Sequence, residues 1–156
     1  MPKSSSPFFL LFIFYFLSSC DSARVYEKNQ EISDGVWNKD EKISFEVEIA
    51  DTITPHNFYV NVRNADGYPY SNIYIFITTI FPDHKFSRDT LECILSDETG
   101  KWLGNGLGDI FDNQIFFKKG VRFPGRGKYT FVMEQAMRAD ELPLIMDVGL
   151  RIEKQQ

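Results

Sequence analysis

Segment after segment of this chain alternates apolar and polar side chains with period two, and that pattern constrains the fold more than any other feature. Ile43, Phe45, Val47 and Ile49 are interleaved with Ser44, Glu46, Glu48 and Ala50, and Phe58, Val60 and Val62 with Tyr59, Asn61 and Arg63. Successive side chains of a strand point to opposite faces, so such segments build sheets with one buried face. Leu91, Cys93 and Leu95, then Tyr129, Phe131 and Met133, and last Leu144, Met146, Val148, Leu150 and Ile152 repeat the pattern, with Gln114 to Lys118 as a further strand. The stretch Ile73 to Ile80 (IYIFITTI) is nearly continuous. It reads as a central strand covered on both sides, or as one edge of a binding face. Asn64-Ala65-Asp66-Gly67-Tyr68-Pro69, Pro82-Asp83, Asp97-Glu98-Thr99-Gly100 and Pro124-Gly125-Arg126-Gly127 supply turns between them. Glu134 to Leu142, stopped by Pro143, is either a helix or a strand continuation followed by a turn. Short strands without intervening helices predict an all-β, antiparallel β-sandwich, immunoglobulin-like or jelly-roll-like. Gly127-Lys128-Tyr129 resembles the tyrosine-corner entry to a strand, though a half-buried strand tyrosine reads the same way.

The first residues are made of different material. Of 24 aromatic residues, six fall in the ten-residue run Phe8 to Leu17 (FFLLFIFYFL), preceded by Lys3 and followed by Ser18-Ser19-Cys20. A membrane-spanning helix needs about 20 apolar residues, so this run has the length of an export signal. Leu17-Ser18-Ser19-Cys20 resembles the bacterial lipobox, in which the cysteine thiol is lipidated and the chain is cut just before it. That reading divides the chain into a signal peptide (1–19), a lipidated N-terminus and tether (20–35) and a single β-sandwich domain (36–156). From Asp21 to about Gly35 the polar, mixed-charge stretch reads as a tether passing into a first edge strand, and fifteen residues fully extended reach at most about 50 Å. Membrane attachment then comes from acyl chains on Cys20, each buried CH₂ contributing about 0.8 kcal/mol.

The precursor carries a formal charge of −5, with 17 basic and 22 acidic residues. An acidic chain of this kind is unsuited to non-specific nucleic-acid binding. Cys93, on the apolar face of a strand, has no cysteine partner once Cys20 is lipidated, and is expected to be buried and inert. Gly100-Lys101-Trp102-Leu103-Gly104-Asn105-Gly106-Leu107-Gly108 has its lysine at the wrong end for a phosphate loop and reads as a mobile surface loop. Asp97, Glu98, Asp109 and Asp112 match no calcium-loop spacing, and no nucleophile elbow is present. The chain is therefore expected to be no enzyme and to hold no metal or cofactor. Tyrosine, asparagine and arginine concentrate around Tyr59 to Tyr74, and these types suit a sugar or a protein surface. Tyr59, Arg63, Tyr68, Tyr70 and Trp102 form the candidate partner surface.

Strings across the whole mature chain resemble the gliding-motility lipoprotein GldH family of the Bacteroidota. They include Cys20-Asp21-Ser22 with Arg24-Val25-Tyr26, Phe58-Tyr59-Val60-Asn61-Val62-Arg63-Asn64, Tyr68-Pro69-Tyr70-Ser71-Asn72, Gly100-Lys101-Trp102-Leu103-Gly104, Gly108-Asp109-Ile110-Phe111-Asp112-Asn113-Gln114 and Asp147-Val148-Gly149-Leu150-Arg151. The resemblance implies a cell-envelope lipoprotein required for gliding, a non-enzymatic assembly or stabilising component beside the motor and the type IX secretion machinery. It carries over one functional position, Cys20. The expected location is the periplasmic face of the outer membrane, with the inner membrane as the alternative. A second function fits the residues: a lipid-anchored carbohydrate-binding module for envelope or secreted polysaccharide.

Overall fold

The alternating segments are strands in the computed structural model, which describes residues 21–156. In chain order they are β1 (Arg24–Glu31), β2 (Val36–Asn38), β3 (Ile43–Ile49), β4 (His56–Ala65), β5 (Asn72–Ile80), β6 (Phe86–Ile94), β7 (Asn105–Leu107), β8 (Ile110–Val121), β9 (Gly127–Gln135), β10 (Glu141–Pro143) and β11 (Ile145–Lys154). Ser33–Gly35 adds one 3₁₀ turn. All the strand pairings are antiparallel. One sheet runs β1-β11-β4-β8-β7, the other β3-β9-β5-β6, and β10 pairs β2 in a small third piece.

These orders follow from one operation, folding the chain into a long antiparallel ribbon and wrapping it. Along the ribbon β1 lies against β11, β2 against β10, β3 against β9, β4 against β8 and β5 against β6. Wrapping brings β11 beside β4 and β9 beside β5, closing the two sheets. This is the jelly-roll order, so the structure selects that form of sandwich over the immunoglobulin-like one. The β2–β10 piece is where the ribbon crosses between sheets, and there Trp37 stands opposite Leu142, both fully buried. The Trp37 indole N–H donates to the Glu41 carbonyl at 3.1 Å, so the buried ring leaves no donor unpaired.

Between the sheets lie Phe45, Val47, Ile75, Ile77, Tyr129, Phe131 and Met133 from one side and Phe58, Val60, Val62, Val148, Leu150 and Ile152 from the other. Each such side chain contributes about 1.5–3 kcal/mol by leaving water. Tyr129 makes the corner that its sequence resembles. Its hydroxyl donates to the Gly125 carbonyl at 2.7 Å and accepts from the Gly125 N–H at 3.2 Å, pinning the β8–β9 crossing to the strand it feeds. Cys93 is fully buried opposite Ile73, and desolvation pushes its thiol up to about 12.

Some expectations are resolved between their alternatives and others change. The stretch 21–35, read as a tether passing into a first edge strand, holds that strand from Arg24 on as β1, hydrogen-bonded to β11 along its length. In β11 a bulge between Ile145 and Asp147 shifts the register, so Ile145 is buried while Leu144 and Met146 are only half-buried. The run Ile73 to Ile80 lies between β9 and β6, yet its second face is partly open to solvent. Residues 134–142 resolve into the end of β9, a turn and β10, and the glycine-rich segment contributes β7. The Gly108-Asp109 turn joins β7 to β8, and Gly108 has the φ of +63° that a side chain would resist.

His56 starts β4 in the core, 1% exposed, with its ring edge-on to Phe123 at 5.2 Å. Its Nδ1 has no hydrogen-bond partner among the described residues. Desolvation holds its pKa below the ordinary 6.5, so the fold keeps the imidazole neutral while the unfolded chain takes up a proton. Stability should therefore decline as pH falls below about 6.5 and through the depressed native value, ahead of the loss from carboxylates near pH 4. Urea unfolding between pH 8 and 5 checks this: the decline should flatten in His56→Phe and persist unchanged if His56 is not its source.

Candidate functional site

Outward-facing residues of the five-stranded sheet line up in rows, because antiparallel register places every second residue of each strand abreast. One row runs Asn29 (β1), Gly149 (β11), Asn61 (β4) and Gln114 (β8). Since Gly149 has no side chain, Asn61 reaches over β11 and its Nδ2 donates to Asn29 Oδ1 at 3.0 Å and to Glu27 Oε1 at 3.2 Å. Gln114 Nε2 donates to Asn61 Oδ1 at 3.5 Å, extending the amide chain to a third strand. A Cβ on Gly149 would stand 1.8 Å from Asn29 Oδ1 and 2.8 Å from the Lys28 carbonyl, so the bridge requires glycine there.

Charged rows flank the amides. On one side Arg63 donates to Asp112 at 2.5 Å and to Asp147 at 3.0 Å, which holds the guanidinium flat across β8, β4 and β11. The Asp112 carboxylate first, and Asp147 with it, raises the Arg63 pKa further. On the other side Arg151 is ringed by Glu27 at 2.7 Å, Glu153 and Asp21. Partial burial works against the Glu27 charge, but Arg24, Arg151 and Asn61 together hold its pKa below 4.5. Between the rows lies a groove of about 330 Å³ lined by Asn29, Asn61, Arg63, Asn105, Asp112 and Gln114 among others. A row further along the sheet, the Phe116 ring is 48% exposed and edge-on to Tyr59 at 5.5 Å. Fixed amides, an ion-paired arginine and an open ring suit a neutral ligand rich in hydroxyl groups.

The five candidate surface residues divide between two places. Tyr59 and Arg63 belong to this sheet face. Tyr68, Tyr70 and Trp102 gather at the end of the sandwich, with Tyr70 edge-on to Tyr68 at 5.6 Å and Trp102 6.5 Å from Tyr68. Tyr68 is not a surface residue: it is 4% exposed, its hydroxyl donates to the Asn72 carbonyl at 3.1 Å, and burial raises its pKa. A turn tyrosine next to Pro69 gives no sign in sequence that the chain end folds over it. The Trp102 indole donates to Asp66 at 2.9 Å, so that ring staples two loops together. Cys20 lies outside the described residues.

Sequence similarity supplies the other half of the argument. The GldH lipoprotein family model matches residues 24–152. The chain belongs to the GldH lipoprotein family. A gliding motility lipoprotein GldH homolog of Christiangramia forsetii is 37% identical over 99% of this chain and 98% of its own length. The gliding motility lipoprotein GldH of Flavobacterium johnsoniae is 32% identical over 93% of this chain and 94% of its own. Solved structures overlap it loosely. A Yersinia pseudotuberculosis-derived mitogen gives a TM-score of 0.33 at 4% identity, covering 84% of this chain and 87% of that one. The VP2 subviral particle of infectious bursal disease virus gives 0.35 at 13% identity, covering 86% and 31%.

Within this GldH-family chain, Glu27, Asn29, Gln114, Asp147 and Arg151 escaped the sequence reading because they come from strands distant in sequence from β4. Gly149 was the available signal, since glycine in the middle of a strand marks a close approach. The acidic residues of the 97–112 region do not share a site. Asp97 accepts from Thr99 and Lys101 in its own turn, while Asp112 is held by Arg63. Because Arg63 is 41% exposed, its ion pairs stabilise little, and Arg63→Ala should cost under about 1 kcal/mol. Gly149→Ala, which forces β1 from its place, should cost about 1–3 kcal/mol. Parallel urea titrations check the contrast, and equal losses would contradict it.

Proposed function

We propose that this chain is a lipid-anchored, non-enzymatic component of the gliding machinery that assembles or stabilises it beside the type IX secretion apparatus. The observation carrying the reading is the family match across residues 24–152, together with the lipobox-like Leu17-Ser18-Ser19-Cys20 that precedes them. Cys20 bears the acyl chains, and the periplasmic face of the outer membrane is the proposed location. Arg63 in the groove and Arg151 beside it are both held by carboxylates, in keeping with a recognition surface more than a reaction centre. Deletion of the gene should abolish spreading on agar and lower the levels of other machinery proteins. Cys20→Ser should behave like the deletion and lose palmitate labelling. Unchanged machinery levels in the deletion strain, or persistent labelling in the variant, would sink the reading.

A second reading, a carbohydrate-binding module, is favoured by the amide chain over Gly149 and the neighbouring Phe116 ring. Its ligand would be an envelope or secreted polysaccharide. Calorimetry with purified envelope glycan should then give heat that Asn61→Ala or Phe116→Ala removes and Tyr70→Ala leaves in place. Binding insensitive to the first two substitutions would reject the sheet-face site.

A further inference from the structure

One end of the sandwich brings the N-terminal entry of the chain together with exposed apolar side chains and a group of four cations, although Leu107 (85%) and Leu103 are exposed at the other end as well. Lys154 N–H donates to the Ala23 carbonyl, Gln155 N–H to Pro55, and Arg122 Nε to Ile53, so the N-terminal entry, the β3–β4 loop, the β8–β9 crossing and the C-terminus form one continuous surface. A groove along Pro82, Phe86, Pro124 and Arg126 extends it beneath the other sheet. Here Ile53 is 81% exposed and Phe86 72%. Lys119, Arg122, Arg126 and Lys154 are exposed around them, and none has an acidic partner within 4 Å among the described residues. Of the nearby acids, Asp21 and Glu153 hold Arg151, Asp83 pairs with Lys85 and Asp51 accepts from the N–H groups of Ile53 and Thr54, while Glu48 stands exposed beside Ile49. At the opposite end Asp66, Asp97, Glu98, Asp109, Asp140 and Glu141 outnumber Lys39, Lys101 and Arg138, Asp140 being paired with Lys39. The charge is thus polarised along the long axis.

The chain leaves the fold at the basic end. Asp21 is clamped to Arg151, and the Cα of residue 20 is about 3.8 Å from that of Asp21 by covalent geometry. No tether intervenes between an acylated Cys20 and the folded body. Headgroup layers are about 5–8 Å deep, so a domain held this closely meets them.

We propose that this end docks on the bilayer that holds the anchor, with Ile53 and Phe86 entering the headgroup layer and Lys119, Arg122, Arg126 and Lys154 facing phospholipid phosphates. The long axis then stands along the membrane normal, the acidic end points away from the membrane, and the groove over Gly149 opens sideways. Basic side chains and exposed apolar ones act together at such interfaces, as they do on amphipathic surface helices.

This rests on the lipid-anchor reading of Cys20, and the test separates the two. The acylated protein is reconstituted in phosphatidylethanolamine–phosphatidylglycerol vesicles containing spin-labelled lipid. A nitrobenzoxadiazole probe is placed at Ile53→Cys, at Phe86→Cys or, as reference, at Leu103→Cys on the far end; buried Cys93 stays unlabelled without denaturant. Quenching at the first two sites should exceed that at the reference about threefold or more, and should fall when Lys119, Arg122, Arg126 and Lys154 are all changed to Glu. Mass spectrometry of the same preparation reads the acyl chains. An acylated protein with equal quenching at all three sites overturns the docked orientation. A protein without acyl chains overturns the anchor reading and, with it, this one.

Discussion

The pairing of the chain's first strand with its last is the constraint on which the rest of the structure depends. Once Arg24 lies against Glu153 and Tyr26 against Ile152, the ribbon has its register, and each later pair is placed by the connection before it. The wrap then sets β11 between β1 and β4, so Gly149 falls at the midpoint of a polar face with asparagines on both flanks. Two buried rings fix places where the ribbon changes sheet: Trp37 at β2–β10 and Tyr129 at the β8–β9 crossing. Pairing the ends requires closing the largest loop in the chain, which makes a fold of this kind slow to form compared with one built from local contacts.

The same constraint relates the two functional surfaces. Arg151, on the face of β11 away from the core, bonds to Glu27 beside the groove and also to Asp21 at the chain's exit toward residue 20. The groove and the basic end are therefore parts of one rigid body. In the proposed docked orientation a partner would meet the sheet face at a fixed angle to the bilayer, because the strand pairings join the two surfaces directly. The depressed pKa of His56, at the basic end, ties the stability of that body to mild acid through desolvation.

Legibility in the sequence followed the physical range of each cause. The segments β3, β4 and β9 were plain because one-sided burial writes period two directly into the residues. β1 was legible only as an edge strand at the end of a tether, without its extent or partner, because a strand with a polar outer face buries little and its partner is more than a hundred residues away. The β11 register was misjudged around Leu144 and Met146 because a bulge is a property of the pairing. Of the candidate surface, Tyr59 and Arg63 stood out through their own strand, whereas Tyr68 was misplaced since nothing local records what folds over a turn.

By itself the sequence read as an export signal with a lipidation-type cysteine followed by an acidic all-β domain, with strings that resemble a gliding lipoprotein family. Those properties reside in local patterns: hydrophobic length, side-chain alternation and short motifs. The tertiary structure alone decided the jelly-roll order, the amide bridge over Gly149, the pairing of β1 with β11 and the arrangement of charge at the two ends. Each of these depends on which distant residues stand abreast, and register between strands is set by the packing of the whole core.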